Sequence, residues 1–169
     1  PRYGPDRRPT VWNPAEWGGR TPRGEIEAAW DELARRFKLL RVYCDPGFRD
    51  ERDYSSDIER WDQIHGPDVF VPWVMSGSQR HNAVFAALRR FESDIETFIR
   101  HDGCPITTTH VANARKVALP GDRYLVGKPE NSQKIDVAVT SLLAHEAASD
   151  MRAEGWRDDD VQILSFGWG

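Results

Sequence analysis

The sequence predicts an α/β fold, on three observations. Short apolar runs rich in β-branched and aromatic residues alternate with segments whose apolar residues recur every three or four positions. No internal period runs through the chain, which removes a solenoid. The length, 169 residues, suits one domain with a real core and is too short for two full-sized ones.

Residues 1–20 hold four of the eleven prolines, three glycines and two tryptophans, with no period of 2 or 3.6, and read as an arm or edge segment. At Thr21 the pattern changes. Thr21 can cap a helix, Pro22 suits its first position, and Ile26, Trp30, Leu33 and Phe37 fall on one face. The run from Leu39 to Cys44 reads as a strand buried on both faces and stops at Asp45-Pro46-Gly47. A second helix is expected over 56–65, with a serine cap, Ile58, Trp61 and Ile64 on one side, and Gly66-Pro67 ending it. A strand over 69–73 follows.

The clearest period lies between Gln79 and Arg100, where Val84, Leu88, Phe91, Ile95 and Phe98 make the stripe of a long amphipathic helix. Beyond the turn at Asp102-Gly103, residues 107–116 read as a short helix and 124–126 as a short strand. A last long helix is expected over 133–154, carrying Ile135, Val139, Leu142 and Leu143, with Gly155 placed to end it. Residues 156–169 read as an acidic tail, so the domain proper covers 21–155 with no internal linker.

Composition narrows the function classes. With 39% hydrophobic and 30% charged residues and no stretch near the roughly 20 apolar residues that span a bilayer, neither a membrane span nor a signal peptide is expected. Cys44 and Cys104 lack zinc-ligand spacing, and so few cysteines fit a reducing cytoplasm. A net charge of −4 argues against a chain coated in basic residues for nucleic acid, although a local basic patch or a bound cation can still hold phosphate.

In α/β sheets ligands gather at the carboxyl ends of strands, and Asp45 sits at such an end. A carboxylate there has a rigid support and a solvated tip, as a divalent-cation ligand requires. Asp-Pro-Gly is equally a good turn sequence. Asp136 opens a helix after a polar loop, where a carboxylate also favours the helix dipole without any further role. Lys134 and Lys128 are near Asp136 in sequence and could offset phosphate charge, and solvent-facing loop lysines are the competing reading.

Taken together these residues carry a resemblance. Arg-Val-Tyr-Cys-Asp-Pro at 41–46, a long helix, His-Asp-Gly at 101–103, His-Val-Ala-Asn-Ala-Arg at 110–115 and Lys-Ile-Asp at 134–136 occur in an order and separation that resemble the nuclease domain of the tailed-phage terminase large subunit. The match covers residues 10–155. Each motif alone is short, and their order is what makes the match specific. The resemblance implies a ribonuclease H-like mixed sheet flanked by helices, and an endonuclease cutting concatemeric double-stranded phage DNA into genome lengths. It implies Asp45 and Asp136 as the second and third acids of a site for two Mg2+ or Mn2+ ions. It also implies the terminase ATPase domain, the small terminase subunit and the portal as partners, in the host bacterial cytoplasm.

One departure qualifies these expectations. In that family the first metal-binding aspartate lies on an initial strand followed by a hairpin, whereas this sequence begins at about the third strand, near Val11-Trp12. Asp6, in Pro-Asp-Arg-Arg-Pro, cannot replace it, because proline lacks the ladder donor of a central strand. The isolated chain is therefore expected to be inactive, unstable or paired. A noncatalytic fragment that docks on DNA or packaging proteins is the alternative, and another ribonuclease H-like nuclease such as a resolvase a third.

Several other residues invite chemistry and lack its pattern. Gly121 to Lys128 has five residues between its glycines where a phosphate loop has four, so ATP binding is not expected. His145-Glu146 begins like a zinc-protease helix, but Ser149 stands where the second histidine belongs. His101, Asp102 and His110 read as turn and surface residues, Asp158 to Asp160 as a solvated run, and Trp12 and Trp17 as packing residues. Cys44, on a buried strand, reads as an inert thiol.

Overall fold

The computed structural model describes residues 2–3, 8–9, 11–47, 53–97, 99 and 104–157. Phe98, His101, Asp102, Asp6 and Asp158 to Asp160 lie outside the described residues. The described chain is α/β, with five α-helices and three two-stranded sheets.

Strands β1 (Arg2–Tyr3) and β2 (Arg8–Pro9) pair antiparallel. The expected strand near Val11-Trp12 is not formed. Asn13 instead caps a 3-10 turn, Pro14–Trp17, by accepting a hydrogen bond from the Ala15 N–H, and Pro14 is preset for that turn.

Helix α1 (Arg23–Arg36) starts one residue later than the Thr21-Pro22 signal, because Pro22 supplies the capping carbonyl to Glu25 and Ile26. Thr21 turns its hydroxyl to the Tyr54 hydroxyl, 2.6 Å away, and so does not cap. Glu25 in the first turn and Arg35 and Arg36 in the last suit the helix dipole. Phe37 ends up exposed.

The next unit is strand, helix, strand. β3 (Val42–Cys44) is shorter than the expected 39–44 run and pairs parallel with β4 (Phe70–Pro72), Val42 opposite Phe70 and Cys44 opposite Pro72. Between them α2 (Ser55–His65) begins at Tyr54, not at a serine cap. The Asp53 carboxylate accepts the Ser55 N–H, and Ile58 and Trp61 go inward while Ile64 stays 60% exposed. The outer edge of β4 is closed off by Asp62 of α2, which accepts the Phe70 N–H at 2.8 Å. On the inner side the Trp73 N–H reaches the Cys44 carbonyl at 2.7 Å. With these two directions alternating, Pro72 occupies a position whose missing N–H costs the β3 ladder nothing.

A 3-10 turn, Ser78–Arg80, leads into α3 (His81–Ile95), shorter than the 79–100 stripe. Val84 and Leu88 are buried as expected, and Ile95 is exposed. The expected helix over 107–116 is divided. α4 (Pro105–Asn113) uses Pro105 at its start, and residues 115–119 form a strand, β5 (Arg115–Leu119), antiparallel to β6 (Arg123–Gly127). Gly121 (φ +74°) and Asp122 (φ +54°) make the bend between them. A Cβ at Gly127 would sit 2.5 Å from Val117 Cγ2, so any other residue there would require the Val117 side chain to shift. Helix α5 (Asp136–Ala153) closes the described fold, and Gly155 at φ +104° ends it.

The strand pairs are not hydrogen-bonded into one sheet among the described residues, which differs from the expected continuous mixed sheet. Helices occupy the spaces between them: β6 packs on α3, β3 on α5, and α3 on α5. Two apolar clusters result. Ile58, Trp61 and Phe70 are joined by Trp30, Ile26, Val42 and Cys44 on one face of the β3–β4 pair. Trp73, Val84, Ala87, Leu88, Leu142 and Leu143 are joined by Tyr43 on the other. Successive β3 residues point to opposite faces, so three residues feed both clusters. No described helix is long and apolar enough to cross a membrane.

Candidate functional site

The relation of β3 to α5 decides where the two candidate acids face. Arg41, just before β3, makes a two-pronged bond to Glu154, at 2.5 and 2.9 Å. Two residues on, the Tyr43 hydroxyl donates to Asp150 at 2.6 Å. The strand therefore advances as the helix recedes, and the carboxyl end of β3 and the amino end of α5 point the same way. Each interaction shows in the ionisation of its members. Burial, with the Asp150 bond second, pushes the Tyr43 phenol up to about 12, and the Arg41 guanidinium holds the Glu154 carboxyl below the usual range.

By strand alternation Asp45 follows Arg41 and Tyr43 on the α5 side. It is exposed at the end of β3 and accepts the Gly47 N–H at 3.4 Å, while Gly47 takes φ +81°. The Asp-Pro-Gly turn is thus present, and it engages one carboxylate oxygen by a long bond. Asp136 is the first residue of α5, exposed, and its carboxylate has no hydrogen bond or ion pair among the described residues. It stands on the stripe 136, 139, 143, 147, 150, 154, whose last two members hold β3 and whose Leu143 and Ala147 are buried. The two candidate acids thus stand on elements that pack against each other, and the register set by Arg41 with Glu154 and Tyr43 with Asp150 puts Asp45 opposite the middle of α5, with Asp136 about 15 Å further along the helix.

The lysines differ. Lys128, just after β6, donates to the Asn131 carbonyl at 3.2 Å and so braces its own loop. Lys134 is exposed, and its backbone carbonyl is held by the Asn113 amide at 2.9 Å. Among the described residues no group of three or more His, Cys, Asp or Glu could hold a metal ion. Two exposed carboxylates supply hard oxygen donors of the kind Mg2+ and Mn2+ take, and two are fewer than a complete ligand set.

Residues that were read as bland are occupied structurally. His110 is a correction: it is 9% exposed, not a surface residue, and its Nδ1 accepts the Val137 N–H at 3.1 Å. His145 meets Asp94 of α3 at 2.8 Å, and Glu146, 5% exposed, takes a two-pronged bond from Arg90 at 3.2 and 2.5 Å. Neither is placed like a protease zinc ligand. Gly121 to Lys128 is hairpin turn and strand. Burial pushes the Cys44 thiol up to about 12, as suits an inert residue. Trp17 is 45% exposed and belongs to no apolar cluster, so its expected packing role is not seen.

Sequence reading missed His110 and Asn113 as the pair that grips the start of α5. Their spacing of three on one helix puts both on the same face, which was the one readable signal. Their partner lay more than twenty residues away and could not be read from spacing.

No protein-family model matches the chain, and no solved structure matches it. The chain is 28% identical over 150 residues to the Gene 13 protein of Mycobacterium phage D29, and 26% identical over 150 residues to the Gene 13 protein of Mycobacterium phage L5. Each alignment covers 83% of this chain and 24% of the phage protein. The chain is therefore similar to about a quarter of two mycobacteriophage proteins, and spans less than two thirds of either.

Proposed function

We propose that this chain is part of a ribonuclease H-like, metal-dependent endonuclease domain of a phage DNA-packaging terminase large subunit. The observation that carries the reading is that Asp45 ends strand β3 and Asp136 opens helix α5, two elements that pack against each other. The order of motifs from 41 to 136 and the phage origin of the similar proteins support it.

On this reading the reaction is hydrolysis of a DNA phosphodiester, with a water oxygen bonding to phosphorus as one P–O ester bond breaks. Divalent ions bound there would supply water activation and relief of charge on the departing oxygen. Asp45 and Asp136 would be ligands to them from a strand end and a helix start, and without such ions two carboxylates would repel the phosphate. Lys134, whose side chain has no partner among the described residues, would meet the DNA backbone, while Lys128 is partly committed to Asn131. The first acid of the family's site would be supplied by another part of the same protein or by a separate chain. The ATPase domain, the small subunit and the portal are the partners, and the host cytoplasm is the place of action.

The test is plasmid cleavage in Mn2+ by the full-length protein that carries this segment. Asp45→Asn and Asp136→Asn are each expected to slow cleavage by about a hundredfold or more, since even outer-shell partners of a metal site are worth about 10–100-fold. Lys134→Gln should lower the salt dependence of DNA binding by about one unit of slope, and Lys128→Gln by less. Equal cleavage by the wild type and both asparagine variants removes the site assignment. No cleavage by any of them, with DNA binding retained, favours a docking module.

A further inference from the structure

Asp136 stands where a helix begins, and the first N–H groups of a helix have no partner within it. Ile135, at the capping position, offers no side-chain oxygen. The cap comes instead from α4. His110 Nδ1 accepts the Val137 N–H at 3.1 Å, between residues that are 9% and 6% exposed. One turn further along α4, Asn113 Nδ2 donates to the Lys134 carbonyl at 2.9 Å. The backbone is thus held by α4 on each side of Asp136, through a donor at 137 and an acceptor at 134.

The chemistry of this grip is directional. An imidazole can accept at Nδ1 only with that nitrogen unprotonated, so the ring carries its hydrogen on Nε2. An isolated buried histidine could serve packing alone. Here the ring spends its acceptor on the backbone N–H that immediately follows the candidate metal ligand, and a neighbour on the same helix face takes the carbonyl two residues before it. A ligand is useful to a metal only if held within about 0.5 Å of its working position, and the Asp136 side chain itself has no supporting bond among the described residues.

We propose that His110 is a positioning residue: it fixes the backbone that aims the Asp136 carboxylate, with Asn113 as its accessory. The inference rests on the reading of Asp136 as a metal ligand, and adds that the ligand's support comes from the 110–113 segment of α4.

The experiment compares wild type, His110→Asn, His110→Gln, His110→Ala and Asp136→Asn in the full-length protein. It measures thermal midpoint and the Mn2+ concentration that half-saturates binding, read from the electron-spin signal of free Mn2+. Asparagine can put an acceptor oxygen near the place of Nδ1, whereas the longer glutamine puts its amide near Nε2. His110→Asn should therefore keep the wild-type Mn2+ requirement, and His110→Gln and His110→Ala should raise it by about tenfold or more. Should the alanine variant fail to fold, the asparagine and glutamine pair still decides. A lowered thermal midpoint in the glutamine and alanine variants with unchanged Mn2+ half-saturation overturns the inference and makes His110 a structural cap only. If Asp136→Asn also leaves Mn2+ binding unchanged, the metal-ligand reading itself has failed; if Asp136→Asn weakens binding and the His110 variants do not, only the positioning role has.

Discussion

The two faces of the β3–β4 pair are held in different ways. On the α1–α2 side the cluster is aromatic: Trp30 sits edge-on to Phe70 with centroids 4.9 Å apart, Trp61 lies 5.8 Å from the same ring, and Ile58 fills the centre, while Arg23 and Arg60 pair with the buried Asp57 at its border. On the α3–α5 side an aliphatic core is bordered by directed polar bonds, Arg90 to Glu146, His145 to Asp94, Tyr43 to Asp150 and Arg41 to Glu154. Dispersion and burial reward any dense arrangement, whereas two-pronged ion pairs reward one register. Both of the two-pronged pairs, Arg90 with Glu146 and Arg41 with Glu154, lie on the α3–α5 side.

The sharpest way to break that contrast is to empty each core in turn. Ile58 and Leu142 are both 1% exposed, and Ile58→Ala and Leu142→Ala should each cost about 2–5 kcal/mol in denaturant unfolding. Because β3 contributes to both clusters, one shared transition is expected in each variant. Two separate transitions would show that the faces are independent units.

A smaller effect tests the polar joint. Arg90→Ala strands the buried Glu146 carboxylate and should cost about 1–3 kcal/mol, below the range for a wholly buried pair because the arginine side chain is 48% exposed. Replacing the pair together, Arg90→Met with Glu146→Leu, should recover most of that loss. If the double variant is as unstable as the single one, the joint does more than satisfy a buried charge.

The mildest probe compares thiols. Hydrogen bonding, led by the Thr107 N–H at the start of α4, lowers the Cys104 thiol to about 7, while burial holds Cys44 near 12. An acid whose ionisation lies near 7 gains thiolate as pH rises through that value, so Cys104 alkylation should slow about tenfold from pH 8 to pH 6. Cys44 should stay unmodified at both until the chain unfolds. Labelling of Cys44 in the folded protein would mean that the aromatic side opens locally.

What the sequence disclosed follows the range of the forces involved. The stripe through Val84 and Leu88, the stop at Gly155 and the start of α5 at Asp136 are local consequences of period, φ and dipole, and were readable to within a few residues. Strand β5 was not. Arg-Lys-Val-Ala-Leu has no alternation, four of its five residues are exposed, and it is a strand because β6 pairs with it. Phe37, Ile64 and Ile95 fit their stripes and still face solvent, because period specifies a face and not how far the neighbouring layer extends. For the site, that Asp45 ends a strand and Asp136 opens a helix could be read locally. That their two elements pack against each other depends on Arg41 and Tyr43 finding α5, more than a hundred residues away.

The unlike spacing of the strand pairs also orders events in time. The β5–β6 hairpin turns within three residues, Pro120 to Asp122, and such hairpins zip in about 1–10 μs. β3 must wait for β4 to return past the whole of α2, and for α5 to arrive from the far end of the described chain, contacts whose long loops make them late. During synthesis the Tyr43 face should therefore stay open until α5 has left the ribosome.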